Sequence, residues 1–232
     1  MTRQDADAIA ACIVRDVRAL PCRNVPSIRA VRVKYSKDLA DAPAETIVAL
    51  AHALRERGLR WVGYEIVHHH RAAVASLRIK EVEALAEGLE SWDGVDAFGI
   101  YIAGPTWGAR QIGDVDIRRW AKSSNPWLRR SALVATVVLN SKTRGHGATG
   151  GDAKRTLAIA ELLIDDREDM VIKALSWAVR TLAAVDPKAA RAFLAEHDPR
   201  LARRVVRETN NKLETGVKTP NTRARKRTAT SD

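Results

Sequence analysis

The sequence predicts an all-α protein, built as a right-handed α-solenoid of helical repeats. Three observations favour this fold class. Apolar residues recur at helical spacing along most of the 232 residues. Short segments with proline or glycine separate these stretches, for example at Pro43, Pro105, Pro126 and Pro187. No segment alternates apolar and polar residues in the manner of a half-buried strand.

The predicted helices are about 10–17 residues long, which suits paired helices in stacked repeats of about 40–47 residues. The first helix places Ile9, Ile13 and Val17 on one stripe. In chain order, the clearest helices are predicted at residues 5–20, 43–57, 60–75, 79–90, 115–123, 126–139, 152–164, 169–185 and 187–197. No strict sequence repeat is visible, and the element lengths alone predict one repeat domain over residues 1–208.

Positive charge is concentrated at the C-terminus. The chain has 39 Lys and Arg against 28 Asp and Glu, a formal net charge of +11. Residues 200–232 hold ten of these basic residues and only three acidic ones. With little apolar content, residues 209–232 are predicted to form a disordered basic tail. The overall surplus indicates a polyanionic partner, either nucleic acid or an acidic membrane surface.

Several classes of protein are excluded by composition. No apolar run approaches the roughly 18 residues that a membrane-spanning helix needs. Acidic residues interrupt the N-terminal segment, which therefore resembles neither a secretory signal nor a typical transit peptide. Cys12 and Cys22 are the only cysteines and do not form a CxxC motif. We therefore expect reduced thiols in a cytoplasmic protein.

A glycine-rich segment matches G-x-G-x-x-G at Gly145–Gly150, with Asp165 about 20 residues from its start. No predicted strand leads into the first glycine, and Gly151 and Asp152 stand where a phosphate-binding loop needs Lys and Ser or Thr. We predict a loop between helices, with Asp152 capping the next helix, and no nucleotide site.

Three consecutive histidines, His68, His69 and His70, raise the question of a metal site. Adjacent residues on a helix point about 100° apart, so the three rings do not converge on one ion. HExxH is absent. We expect no metal and no other cofactor.

The aromatic residues offer a better candidate site, because six of the eleven are tryptophans and several lie beside charged residues. Trp92 and Asp96 share a face at i, i+4 if Ser91 caps a helix. Lys173 and Trp177 have the same spacing, and Arg130 follows another tryptophan by three residues. From spacing alone, core packing and solvated charge explain all of them.

A resemblance changes this interpretation. WDGVD, NPWLRRSAL and VIKALSWAVR, in this order on an all-helical chain, resemble the AlkD-type DNA alkylation-repair glycosylases. The resemblance extends from about residue 24, where Pro26 and Arg29 match an early helix of the family, to about residue 182. It implies a solenoid of HEAT-like repeats that excises N3- and N7-alkylated purines.

The resemblance also implies roles for individual residues. The catalytic pair of the family falls on Trp92 and Asp96, and a second active-site tryptophan falls on Trp177. Three basic residues are expected to bind DNA. Arg130 matches a family arginine, Arg129 is its neighbour in the sequence, and Lys173 lies four residues before Trp177. The glycine-rich loop and the basic tail depart from the family pattern.

We therefore expect a monomer that acts on double-stranded DNA containing alkylated bases, without metal or cofactor and without a membrane partner. In the cell we expect a bacterial cytoplasmic protein that associates with the nucleoid when it binds DNA. Two alternatives stay open: a solenoid that binds unusual DNA structures without catalysis, and a scaffold for protein interactions.

Overall fold

The computed structural model describes residues 3–141 and 151–220, and every regular element in these two ranges is helical. No strand occurs in the described part of the chain, which confirms the all-α prediction. Within the same residues, no helix is long and apolar enough to cross a membrane. The chain groups into two compact units, Met1–Trp120 and Ala121–Asp232. The expected single domain over 1–208 and the right-handed superhelix stay predictions.

The first unit is a series of helices that pack on their neighbours. In chain order they are α1 Arg3–Arg18, α2 Val25–Asp38, α3 Ala44–Glu56, α4 Arg60–His69, α5 Arg71–Ser76, α6 Ile79–Ala86, α7 Trp92–Phe98, a π-helical turn Gly99–Ala103, α8 Gly104–Gly108 and α9 Asp114–Ala121. Helix α3 packs against α1 and α4, and α4 packs against α2 and α7. The core side chains of α3, Ile47, Leu50 and Leu54, are fully buried.

Helices α3 and α4 approach closely at Gly63. A Cβ atom built on Gly63 would lie 3.0 Å from the Cα of Ala51 and 3.2 Å from its carbonyl oxygen. A residue without a side chain is therefore needed where the two backbones meet. This contact fixes the position of α4, on which α7 rests.

The prediction of a single helix at 60–75 is wrong, because the helix is interrupted at His70, which separates α4 from α5. His70 occupies the N-cap position of α5, where its Nδ1 accepts a hydrogen bond of 3.1 Å from the backbone N–H of Ala73. The apolar pattern continues through this break, so the periodicity alone does not show it.

The break predicted at Pro105 is also wrong. Helix α7 continues through the π-helical turn directly into α8, whose first turn contains Pro105. A proline inside a continuous helix lacks one backbone hydrogen bond and needs room at the carbonyl four residues earlier, which here belongs to Tyr101 in the π-helical turn. The helix therefore passes Pro105 where its regular α-helical geometry is already interrupted.

The helices of the second unit are layered on α12. They are α10 Pro126–Leu139, α11 Ala153–Ala160, a 3₁₀ turn Glu161–Leu163, α12 Asp169–Ala183, α13 Pro187–His197 and α14 Arg203–Thr215. Helix α12 packs against each of the other four. The bounds of α10 and α13 are those predicted, and the predicted capping role of Asp152 is confirmed by its hydrogen bond of 2.9 Å from the N–H of Arg155.

Helix α14 corrects the predicted boundary of the basic tail. The boundary at 208/209 lies inside this helix, which continues to Thr215 and ends at Gly216 with a φ of 75°. Glu208 is buried against α12, where it accepts a hydrogen bond of 2.6 Å from Ser176 and lies 3.5 Å from Arg180. These polar contacts anchor a segment that has few apolar residues. The tail residues 221–232 lie outside the described residues.

Candidate functional site

Helix α7 presents Trp92 and Asp96 one turn apart. It begins at Trp92 with Ser91 at the N-cap position, as predicted, although the Ser91 side chain makes no capping hydrogen bond. Trp92 is 59% exposed, whereas Asp96 is half-buried. Core packing therefore does not explain Trp92. An exposed indole on a fixed helix is a surface that a flat or apolar ligand group can cover.

The buried face of α7 holds the helix in place. Val95 and Phe98 are fully buried, and the Phe98 ring lies 5.9 Å from the ring of Tyr64 and 5.8 Å from that of Trp120. Because these residues occupy the inner face, the outer face of α7 is left to Trp92. The packing thus orients the candidate site without using its residues.

Trp107 and Trp120 are core residues, as the alternative interpretation of the tryptophans expects. Both are buried, and each indole N–H has an acceptor. Trp107 donates to Asp114 at 2.7 Å, and Trp120 donates to Glu83 at 3.1 Å. Satisfying the polar end of a buried indole is the usual requirement for placing tryptophan in a core. Neither residue belongs to the candidate site.

A buried carboxylate that sequence reasoning missed supports the region around α7. Glu65 on α4 is 1% exposed, and its oxygens accept hydrogen bonds from Arg29 at 2.5 to 3.1 Å and from Arg32 at 2.9 Å. Burial by itself raises the pKa of Glu65, but hydrogen bonds from Arg29 and Tyr101 outweigh it and hold the pKa below its ordinary value. Glu65 therefore stays ionised.

The same cluster reaches the segment that follows α7. Tyr101 lies in the π-helical turn and hydrogen-bonds to Glu65, and its carbonyl oxygen is 3.2 Å from the Nδ1 of His68. Arg29 also lies over the ring of Trp61 at 5.8 Å. The signal in the sequence was an acidic residue inside an otherwise apolar stretch of α4, which predicts a buried ion pair.

In the second unit, Lys173 and Trp177 lie one turn apart on α12, as predicted. Trp177 is half-buried, and the Lys173 Nζ lies 2.6 Å from the carboxylate of Asp169. The hydrogen bond from Lys173, together with the charges of Arg204 and Arg130, lowers the pKa of Asp169. This carboxylate therefore stays charged at neutral pH.

The other two basic residues of the predicted site have internal partners. Arg130 is buried, and its Nη1 donates to the carbonyl oxygen of Met170 at 2.5 Å. Arg129 forms an ion pair of 2.6 Å with Asp166 and donates to two carbonyls in the loop before α10. These contacts tie α10 to the start of α12. Contact of either arginine with DNA stays a prediction.

The three histidines have separate surroundings. His68 faces Tyr101, His69 is exposed, and His70 caps α5. Among the residues that the structure describes, no group of three or more His, Cys, Asp or Glu side chains is arranged to hold a metal ion. The G-x-G-x-x-G segment at Gly145–Gly150 lies outside the described residues.

The structure thus brings the predicted site residues together in two groups. Trp92 and Asp96 share α7 in the first unit. Arg130, Lys173 and Trp177 lie on the packed helices α10 and α12 of the second unit.

Comparison with known proteins bears on the fold and on the family of the chain. The fold is similar to that of a protein from Enterococcus faecalis described as a predicted DNA alkylation repair enzyme, with a TM-score of 0.64 and 19% sequence identity over 91% of this chain and 96% of that one. No curated protein matches the chain. The model of the family of DNA alkylation repair enzymes matches residues 3–213, nearly the whole of the described chain. The chain therefore belongs to the DNA alkylation repair enzyme family.

Proposed function

We propose that the protein is a DNA glycosylase that excises positively charged N3- and N7-alkylated purines from duplex DNA. Membership of the family gives the chain a role in the repair of alkylated DNA and implies DNA as its partner. The observation that carries the finer proposal is the pair on α7, an exposed Trp92 one turn from Asp96.

The chemistry of the lesion explains why a carboxylate is needed. Alkylation at N7 or N3 gives the purine a positive charge, which makes the base a good leaving group. As the glycosidic bond breaks, positive charge develops on the sugar, as in other oxocarbenium-like transition states. A fixed carboxylate next to the sugar stabilises that charge and orients or deprotonates the attacking water. We assign this role to Asp96.

The tryptophans suit binding of the damaged nucleotide. The face of an indole ring attracts cations and packs on the apolar side of deoxyribose. Trp92 has the exposed face that this contact needs. We assign the same role to Trp177, which is half-buried on α12.

A groove of the first unit does not belong to this site. It has a volume of about 1070 Å³ and lies between α1, α3, α5 and α6, and neither Trp92 nor Asp96 lines it. Its lining holds the four carboxylates of Asp7, Glu45, Glu56 and Glu81 against the one guanidinium of Arg55, so its net negative charge repels a DNA backbone. The proposed reaction takes place at the outer face of α7 and does not need a deep pocket for a flipped base.

Of the three basic residues expected to bind DNA, Lys173 has the best support because its side chain is partly exposed. A phosphate contact of this kind fixes the position of the duplex without reading sequence. Arg130 and Arg129 direct their hydrogen bonds into the protein. We propose that they act by holding the helices that present Lys173 and Trp177.

The test is base release from a duplex that carries a single 7-methylguanine. We expect Asp96→Asn to lower the rate by about 10²-fold or more, in line with the loss of other transition-state contacts, while folding and DNA binding are kept. Trp92→Ala and Trp177→Ala should also lower the rate.

A matched control is Asp93→Asn, because Asp93 lies exposed on the same helix three residues earlier. Asp93→Asn should keep the wild-type rate. Full activity of Asp96→Asn would refute the assignment. Tight binding with no base release by the wild type would instead favour the non-catalytic DNA-binding alternative.

A further inference from the structure

Two basic side chains from two packed helices form ion pairs with one exposed carboxylate in the second unit. Asp169, at the start of α12, is 60% exposed. Lys173 from the same helix lies 2.6 Å from it, and Arg204 from α14 lies 3.8 Å from it. Arg130 from α10 is near enough to lower the pKa of Asp169 through its charge.

The charges of these ion pairs do not balance, since one carboxylate, Asp169, faces the two cations Lys173 and Arg204. At the preceding residue of α14 one cation faces one carboxylate, since Arg203 lies 3.5 Å from Asp198. Exposed ion pairs of this kind contribute little to stability, so Lys173 and Arg204 can exchange Asp169 for another anion at low cost. Trp177, proposed above to contact the nucleotide, lies one turn beyond Lys173 on the same helix.

We propose that Lys173 and Arg204 form a binding site for a backbone phosphate of DNA, and that Arg204 is a DNA-contact residue. In the absence of DNA, Asp169 is the counter-ion of both cations. When DNA binds, the phosphate replaces Asp169 as their counter-ion. Arg130 keeps its hydrogen bond to the carbonyl oxygen of Met170, and its positive charge adds to the electrostatic attraction for the phosphate. The inference rests on the proposed function only for the identity of the partner, duplex DNA.

The first experiment compares Arg204→Gln with Arg203→Gln in binding to an undamaged duplex at several salt concentrations. The two arginines are neighbours on α14 and the substitutions change the net charge equally, but the Arg203 side chain is 81% exposed and points to Asp198. Each lost phosphate contact lowers the slope of log K against log salt by about 0.9. Over a fourfold rise in salt, Arg204→Gln should therefore lose about 3.5-fold less affinity than the wild type.

The proposal predicts a wild-type slope for Arg203→Gln and for the conservative variant Arg204→Lys. It is overturned if Arg204→Gln keeps the wild-type slope, or if both glutamine variants change it equally, since the latter is a simple effect of net charge. Far-UV circular dichroism and a melting curve show whether each variant is folded. If Arg204→Gln does not fold, the proposal is tested instead by substituting the carboxylates Asp169 and Asp198.

That second test uses Asp169→Asn and Asp198→Asn, which each remove one negative charge from an exposed carboxylate beside an α14 arginine. Asp169→Asn should raise the affinity for undamaged duplex and steepen the salt slope, and Asp198→Asn should do neither. Equal effects of the two variants overturn the proposal. The binding tests use a duplex without a lesion, so their outcome does not depend on base excision. A failure of the glycosylase assay therefore refutes the proposed activity but not this DNA contact.

Discussion

The buried carboxylate Glu65 gives the sharpest test of how the first unit is held together. In Glu65→Gln the shape is kept but the charge is lost, and Arg32, whose side chain is almost fully buried, keeps its own charge without a counter-ion. Removing one partner of a buried ion pair costs about 3–5 kcal/mol. Arg29 is 43% exposed and regains water, which reduces that figure. We expect a loss of about 2–4 kcal/mol in the free energy of unfolding.

Urea unfolding followed by circular dichroism measures this loss, and the melting temperature should fall by about 2–4 °C per kcal/mol for a chain of this size. The control is Glu87→Gln, because Glu87 is largely exposed and lies 3.5 Å from Arg55. An exposed pair of this kind is worth about 0–1 kcal/mol. A loss in Glu65→Gln no larger than that in the control would refute the reasoning.

The dependence on pH has a definite sign. The pKa of Glu65 is lower in the folded protein than in the unfolded chain, so its charge stabilises the fold above the ordinary carboxyl pKa. This contribution is lost as the pH falls through the lowered folded-state pKa. The difference in stability between the wild type and Glu65→Gln should therefore be full at neutral pH and shrink only in acid.

Three further predictions follow from individual contacts. Gly63→Ala should destabilise the protein by about 1–3 kcal/mol in urea unfolding, because the added methyl group meets the Ala51 backbone at 3.0 Å, and an unchanged midpoint would contradict it. Burial and the hydrogen bond to Asp16 raise the pKa of Tyr35 to about 12, so its phenol should ionise well above the ordinary tyrosine pKa in an ultraviolet titration, and Tyr35→Phe should reduce the amplitude of this late part by one phenol. This contribution to stability is present below the ordinary tyrosine pKa and is lost as the pH rises toward 12. Truncation after Pro220 should leave the melting temperature unchanged and flatten the salt dependence of duplex binding, and identical slopes would show that the basic tail does not touch DNA.

Some features of this protein are determined by residues close together in sequence. The start of α10 is set by Asn125, whose side chain accepts from the N–H of Trp127, and by proline in the first turn. The start of α13 is set in the same way by Asp186, which accepts from Ala189. Each hydrogen bond spans two or three residues, so the sequence displays all of its parts. The predicted bounds of these helices are therefore confirmed.

Contacts between distant residues explain where the sequence predictions were wrong. Helix α14 has few apolar residues, and Glu208 is anchored by Ser176, which lies 32 residues earlier. No pattern within α14 itself reveals that partner. The break at His70 is different, since its capping bond is local but competes with an apolar stripe that continues past it.

The sequence by itself determined the all-α class, the main helices and the placement of Trp92 and Asp96 one turn apart, because capping and helical periodicity act within about four residues. It did not determine which tryptophans are exposed, since Trp92, Trp107 and Trp120 all lie among charged and apolar neighbours. Only the tertiary structure decided that Trp107 and Trp120 are buried while Trp92 is exposed. It also decided that Glu65 is paired with arginines more than thirty residues away. Burial and ion pairing depend on which helices pack together, and that is a property of the folded chain.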